Sequence, residues 1–135
     1  MVKLVWEREF AYLNIIQGNF FHYNNKTIFK PQEKNSKGKI HEDWGFFSND
    51  TVDQKIKPKV FYSEGYVSEF VLEKFSSKDN EFVLTSIDNE NLPPGFRARL
   101  TTKLLSEKKF SEKFELASPG KDYGMCITNL WSKIV

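Results

Sequence analysis

The sequence has little of what staples, ligates or spans. Cys126 is its one cysteine, so no intrachain disulfide can form and a reducing compartment is expected. The two histidines, His22 and His41, stand far from each other and from Cys126. Without a close-spaced ligand pair, a zinc site is not expected. No stretch approaches the roughly 18 apolar residues of a membrane span. Glu7-Arg8-Glu9 also interrupts the N-terminal apolar run before a signal-peptide core can form. The expected location is therefore cytoplasmic. Charge of one sign is missing too: 20 Lys+Arg stand against 18 Asp+Glu, and the signs interleave, as in Glu73-Lys74, Glu107-Lys108 and Glu112-Lys113. A phosphate-binding surface needs a one-signed stripe, so nucleic acid is not an expected partner. No glycine-rich loop follows a strand to hold a nucleotide. Ser106-Glu107-Lys108-Lys109 has serine-x-x-lysine spacing, but it lies on a charged turn without that motif's companions. Long amphipathic helical patterns are absent as well.

What is abundant is aromatic. Thirteen Phe, five Tyr and three Trp suit the half-buried pleated surface of strands more than helices. Nine strands are expected: Leu4–Leu13, Asn19–Phe29, Ile40–Phe47, Lys55–Tyr62, Tyr66–Phe75, Glu81–Asp88, Phe96–Leu105, Phe110–Leu116 and Tyr123–Ile134. Turns are expected at Gly18, at Ser48-Asn49-Asp50, at Ser63-Glu64-Gly65, at Ser76 to Asn80, at Asn91 to Gly95 and at Ser118 to Asp122. The polar run Lys30 to Lys39 reads as a surface loop and a candidate rim for a cavity mouth. Pro58 cannot donate to a ladder and argues for an edge, a bulge or a strand start. At 135 residues the chain is expected to be one domain. Its even strand spacing points to an all-β, antiparallel up-and-down barrel of about nine to ten strands, because closure removes exposed edges.

Few residues carry chemistry. On a strand, His41 and Glu42 point to opposite faces, whereas His41 and Asp43 share one. That pair could hold a histidine tautomer for acid–base work. The plainer reading, which alternation favours, is an exposed polar face opposite Trp44 and Phe46. His22, among strand aromatics, reads as one polar residue in an apolar setting. Arg97 and Arg99 share a strand face, extended by Thr101 and Lys103. Facing a lumen they could clamp an anionic ligand group; facing solvent, Glu112 or Glu115 could neutralise them. Tyr62, Glu64 and Tyr66 flank a turn that could fall near a barrel rim.

Several segments resemble successive strands of a family of uncharacterised lipocalin-like, calycin-type bacterial barrels. They are Trp6-Glu7-Arg8-Glu9-Phe10, Gly38 through Phe47 and Phe61-Tyr62-Ser63-Glu64-Gly65-Tyr66-Val67. Pro93 through Arg99 and Phe114 through Asp122 fit the same pattern. The resemblance implies an up-and-down barrel similar to lipocalins and fatty-acid-binding proteins and leaves function open. More distantly, the glycine-bounded turn leading into the aromatic strand Gly38–Phe47 is similar to nitrobindin-like heme barrels. That family holds iron through a histidine near its C-terminus. Tyr123 to Val135 contains none, so no iron ligand is carried across and no cofactor is expected. Members commonly open with a Gly-x-Trp strand. The sequence from Met1 has none, so the barrel is expected to be a strand short or to continue upstream.

The leading expectation is a small-molecule-binding barrel with an apolar or amphipathic ligand in its lumen. His41, Trp44, Glu64, Tyr66, Arg97 and Arg99 are its candidate ligand contacts. The alternatives are a small barrel enzyme using a His–carboxylate pair and a barrel filled by its own aromatics that binds a partner protein. Base rates for soluble oligomers admit a homodimer.

Overall fold

The structure, a computed structural model, describes residues 6–16, 20–31 and 33–132. It is one antiparallel sheet of nine strands in strict sequence order. The strands are β1 (Trp6–Ile16), β2 (Phe20–Phe29), β3 (Lys39–Asp50), β4 (Lys55–Tyr62), β5 (Val67–Ser76), β6 (Glu81–Glu90), β7 (Arg97–Ser106), β8 (Lys109–Ala117) and β9 (Met125–Ser132). The all-β, up-and-down expectation is borne out, and the sheet curls into a half-barrel. Among the described residues only sequence neighbours pair, so β1 and β9 form its two edges. Among the described residues, no helix is long and apolar enough to cross a membrane. Leu4, Gly18 and Ile134, which the sequence placed at strand ends and the first turn, lie outside the described residues.

Period-2 alternation sorts the side chains of each described strand onto two faces. Val60, Phe70, Leu84 and Ala98 form the buried core on one of them. Phe47, Tyr62, Leu72, Phe82, Leu100, Phe114 and Leu116 pack around it. Register confirms the common face: Val60 lies opposite Ser68, Leu72 opposite Leu84, Leu84 opposite Leu100, and Leu100 opposite Phe114. This is the inner face of the curl. Bulges after Glu69, after Leu72 and after Leu104 add twist and reset the alternation, so that Phe75 returns to the core face opposite Phe82.

One turn departs from the sequence reading, and one proline sits at a local edge as the sequence allowed, each for a clear cause. Ser48-Asn49-Asp50 was the expected turn, yet β3 runs through it and the turn is residues 51–54. The Asp50 carboxylate accepts the N–H groups of Val52 and Asp53, so it closes the turn from the strand's last position. Gln54 then takes the left-handed conformation that a glycine would otherwise supply. Pro58, in turn, lies inside β4. Tyr62 N–H donates to Tyr66 O, so alternate positions back to Pro58 face β5. The β4–β5 ladder holds only Lys59–Glu69, Val60–Ser68 and Phe61–Val67, and it stops where the next donor would be Pro58. Past that point β4 and β5 diverge, and the sheet bends.

Gly38 and Gly65 are the glycines that the turns require. At Gly38, with φ of 67°, a Cβ would lie 2.4 Å from Phe29 O, so the return from loop 30–38 into β3 admits no side chain. Gly65, at φ 94°, closes the β4–β5 turn.

Among the described residues, Phe70, 1% exposed, is the largest fully buried side chain. Phe70→Ala is expected to cost about 3–5 kcal/mol in urea denaturation, whereas Ile87→Ala at an exposed bulge position should stay within about 0.5 kcal/mol. Equal costs would contradict the assignment of the inner face as the core.

Candidate functional site

At one end of the inner face, β3 overhangs β4 and meets the β4–β5 turn. Lys39, His41 and Asp43 alternate along β3, so all three project to that face. Across the turn, Ser63 N–H donates to Glu42 O at 2.8 Å and Ser63 Oγ accepts the Glu42 N–H at 3.0 Å. Asn91 Nδ2 donates to Gly65 O at 2.9 Å from the β6–β7 loop. The backbone of the turn is thus held from both sides, and this sets Glu64 beside β3.

His41 sits between two carboxylates. Its Nδ1 is 2.8 Å from Glu64 Oε1 and its Nε2 is 3.3 Å from Asp43 Oδ1. Lys39 Nζ reaches the same Glu64 oxygen at 2.7 Å, and Asn25 Nδ2 donates to Asp43 Oδ1 at 2.7 Å. Both ring nitrogens face acceptors, an arrangement that suits the doubly protonated imidazolium. Hydrogen bonding to Asp43 is the chief cause that holds the pKa of His41 above 6.5; burial opposes it, and Glu64 adds to it. Asp43 acts mainly through its hydrogen bond, whereas Glu64 adds both a hydrogen bond and the nearer charge. Burial also opposes ionisation of Glu64, but hydrogen bonds from Lys39 and then His41 overcome it and bring its pKa to about 2.

Aromatic and polar side chains extend the site along the inner face. Tyr62 and Tyr66 stack with ring centroids 4.2 Å apart, and the His41 ring lies 6.1 Å from that of Tyr62. Burial keeps the hydroxyl of Tyr62 well above its ordinary pKa, reinforced by the Tyr66, Asp43 and Glu112 charges. That Glu112 on β8 acts on Tyr62 on β4 reflects the curl. Tyr66 is raised to about 12, chiefly by burial. Beyond them, buried Ser68 donates to Asn89 Oδ1 at 2.7 Å, and Asn89 Nδ2 donates to Phe96 O at 3.0 Å.

Of the residues singled out from sequence, His41, Glu64 and Tyr66 come together here, with Asp43 on the shared face. The polar side of β3 is not a solvated face: Asp43 is buried on the core side. Trp44 lies on the opposite, outer face. Its strand neighbour Phe46 is there too, against His22 at 5.0 Å and Phe61 at 6.4 Å. Arg97 and Arg99 are also on the outer face. Arg99 forms a two-point pair with Glu115, Nε to Oε2 at 2.8 Å and Nη2 to Oε1 at 3.1 Å, and Lys113 joins at 3.2 Å. The guanidinium carbons of Arg99 and Arg97 lie 4.2 and 5.2 Å from the Tyr123 ring centroid, and Arg97 Nη2 also donates to Lys121 O. The cross-strand acid Glu115 therefore neutralises Arg99, and neither arginine lines the inner face. Lys39, Asn25 and the Ser68–Asn89 pair were not picked out from sequence. Alternation from His41 would have found Lys39. Asn89 had no such signal, because the bulge at Ile87 shifts its face. Among the described residues, no group of three His, Cys, Asp or Glu side chains is arranged to hold a metal ion.

The charge cluster implies a defined pH window. The contribution of His41, whose pKa is raised, is fully present below 6.5 and is lost as pH rises through its folded value. That of Glu64 is present above 4.5 and is lost as pH falls toward about 2. The stability difference between the wild type and His41→Gln is therefore expected to be largest between pH 4.5 and 6.5. An NMR titration of His41 should give a midpoint above 6.5 that falls in both Asp43→Asn and Glu64→Gln. A wild-type midpoint at or below 6.5 would contradict the geometry. No protein-family model matches the sequence, and no curated protein shows significant similarity to it.

Proposed function

We propose that this chain binds a small apolar or amphipathic molecule along the inner face of its half-barrel. The observation that carries the reading is the polarity gradient of that face. At one end stand Lys39, His41, Glu64 and the Tyr62–Tyr66 stack. At the other, Phe75 is 68% exposed, Leu104 52% and Ile56 43%, all on the core side of their strands. Exposed apolar surface continuous with a core is a common mark of a binding site. Between the two ends, half-buried Phe47, Leu72, Phe82, Leu100 and Phe114 give an aromatic and aliphatic lining.

The acid–base alternative gains less support. Both nitrogens of His41 are engaged by carboxylates, which leaves no lone pair to take a substrate proton. A homodimer is a second reading, favoured by the two sheet edges at β1 and β9, since an unpaired edge is a template for another strand. The motifs quoted above support kinship with lipocalin-like bacterial barrels, and the single cysteine supports a cytoplasmic setting.

The test pairs two exposed leucines on opposite faces. Leu104 ends the inner row, while Leu130, opposite Ser111, faces outward. Fluorescence titration with dansylated undecanoic acid should show binding to the wild type. Leu104→Arg should weaken it by about tenfold or more, as loss of an apolar contact implies. Leu130→Arg should leave it unchanged. Equal effects of the two substitutions, or no wild-type binding, would contradict the reading.

A further inference from the structure

We propose that the Lys39–His41 end of the inner face selects ligands with an anionic head group, and that the Glu64 carboxylate occupies the head-group position until such a ligand arrives. This inference rests on the binding reading above and names the chemistry of its polar end.

Two cationic donors converge on one oxygen: Lys39 Nζ at 2.7 Å and His41 Nδ1 at 2.8 Å both reach Glu64 Oε1. That is the geometry of an anion cradle, and here the anion is supplied by the chain itself. The backbone bearing Glu64 is held by Ser63–Glu42 and Gly65–Asn91 hydrogen bonds, but its side chain is 29% exposed and that of Lys39 is 53% exposed. An ion pair so open to water is weakly held, because solvent competes for both partners. Rotation of the Glu64 side chain into solvent would free both donors without moving the turn. Asp43 contacts His41 on its other nitrogen and is itself fixed by Asn25, so the imidazolium keeps a partner when Glu64 leaves.

Charge balance then decides the ligand class. Lys39 and His41 carry positive charge against Glu64 and Asp43. An anionic head replaces Glu64 like for like, whereas a cationic head would meet two cations. The cradle adjoins the apolar lining, since the His41 ring lies 6.1 Å from Tyr62, which packs on the core cluster. The ligand class is thus an amphipathic anion, its charged end at Lys39 and His41 and its tail running toward Phe82 and Leu104.

Calorimetric titration with dodecanoate, dodecanol and dodecyltrimethylammonium separates this inference from the reading it rests on. Dodecanoate is expected to bind about tenfold more tightly than the other two, the scale of one charge-assisted contact. Lys39→Met should abolish that preference, and Glu64→Gln, which removes the competing carboxylate, should tighten dodecanoate severalfold. In NMR spectra, dodecanoate should move the His41 ring signals and leave those of His22, on the outer face, in place. Equal affinity for the three probes, or no response to Glu64→Gln, would overturn the selectivity and leave the binding face standing. Failure of all three to bind would overturn both.

Discussion

A meander in which only neighbouring strands touch must bury its apolar face by bending the sheet onto itself. No second layer exists among the described residues to cover Val60, Phe70, Leu84 and Ala98, so the curl alone shields them. The bend has identifiable sources. Pro58 ends the β4–β5 ladder early, and the bulges in β5–β6 and β7–β8 add twist. These interruptions separate strands locally, and the bulges reset the alternation so that the core row from Val60 to Phe114 stays on one side.

Curling also gives the inner face two unlike ends. Where β3 overhangs the β4–β5 turn, polar side chains that alternate along one strand meet a carboxylate from another. Where β5 and β7 end and β4 and β6 begin, the apolar row runs out into solvent. A polar cluster in water would contribute little, but Asp43 is buried and His41 half-buried, so their attraction is less screened. The turn itself is held by the Ser63–Glu42 and Asn91–Gly65 hydrogen bonds, and the cluster beside it forms the polar end of the inner face.

Much of the fold was legible because its signals are local. Ser63-Glu64-Gly65 and Asn91 to Gly95 break the strands in the structure as in the sequence, the turn expected at Ser76 to Asn80 spans residues 77–80, and the strands between them keep their expected places within one or two residues. The sharing of a face by His41 and Asp43 followed from period 2. Which face that was did not, because it depends on register with Tyr62 and Asn25, set by distant strands. The same limit applied to Arg97 and Arg99: their common side was readable, but only the pairing of Arg99 with Glu115 shows that it is the outer one. Bulges hid the rest, since a single extra residue at Ile87 reverses the face of Asn89.

The central claim is that the inner face holds an amphipathic molecule, and native mass spectrometry tests it most directly. Protein purified from cells, or incubated with dodecanoate, should carry a small-molecule adduct that is released on denaturation. A bare polypeptide mass in both preparations, with the fold intact by circular dichroism, would contradict the account.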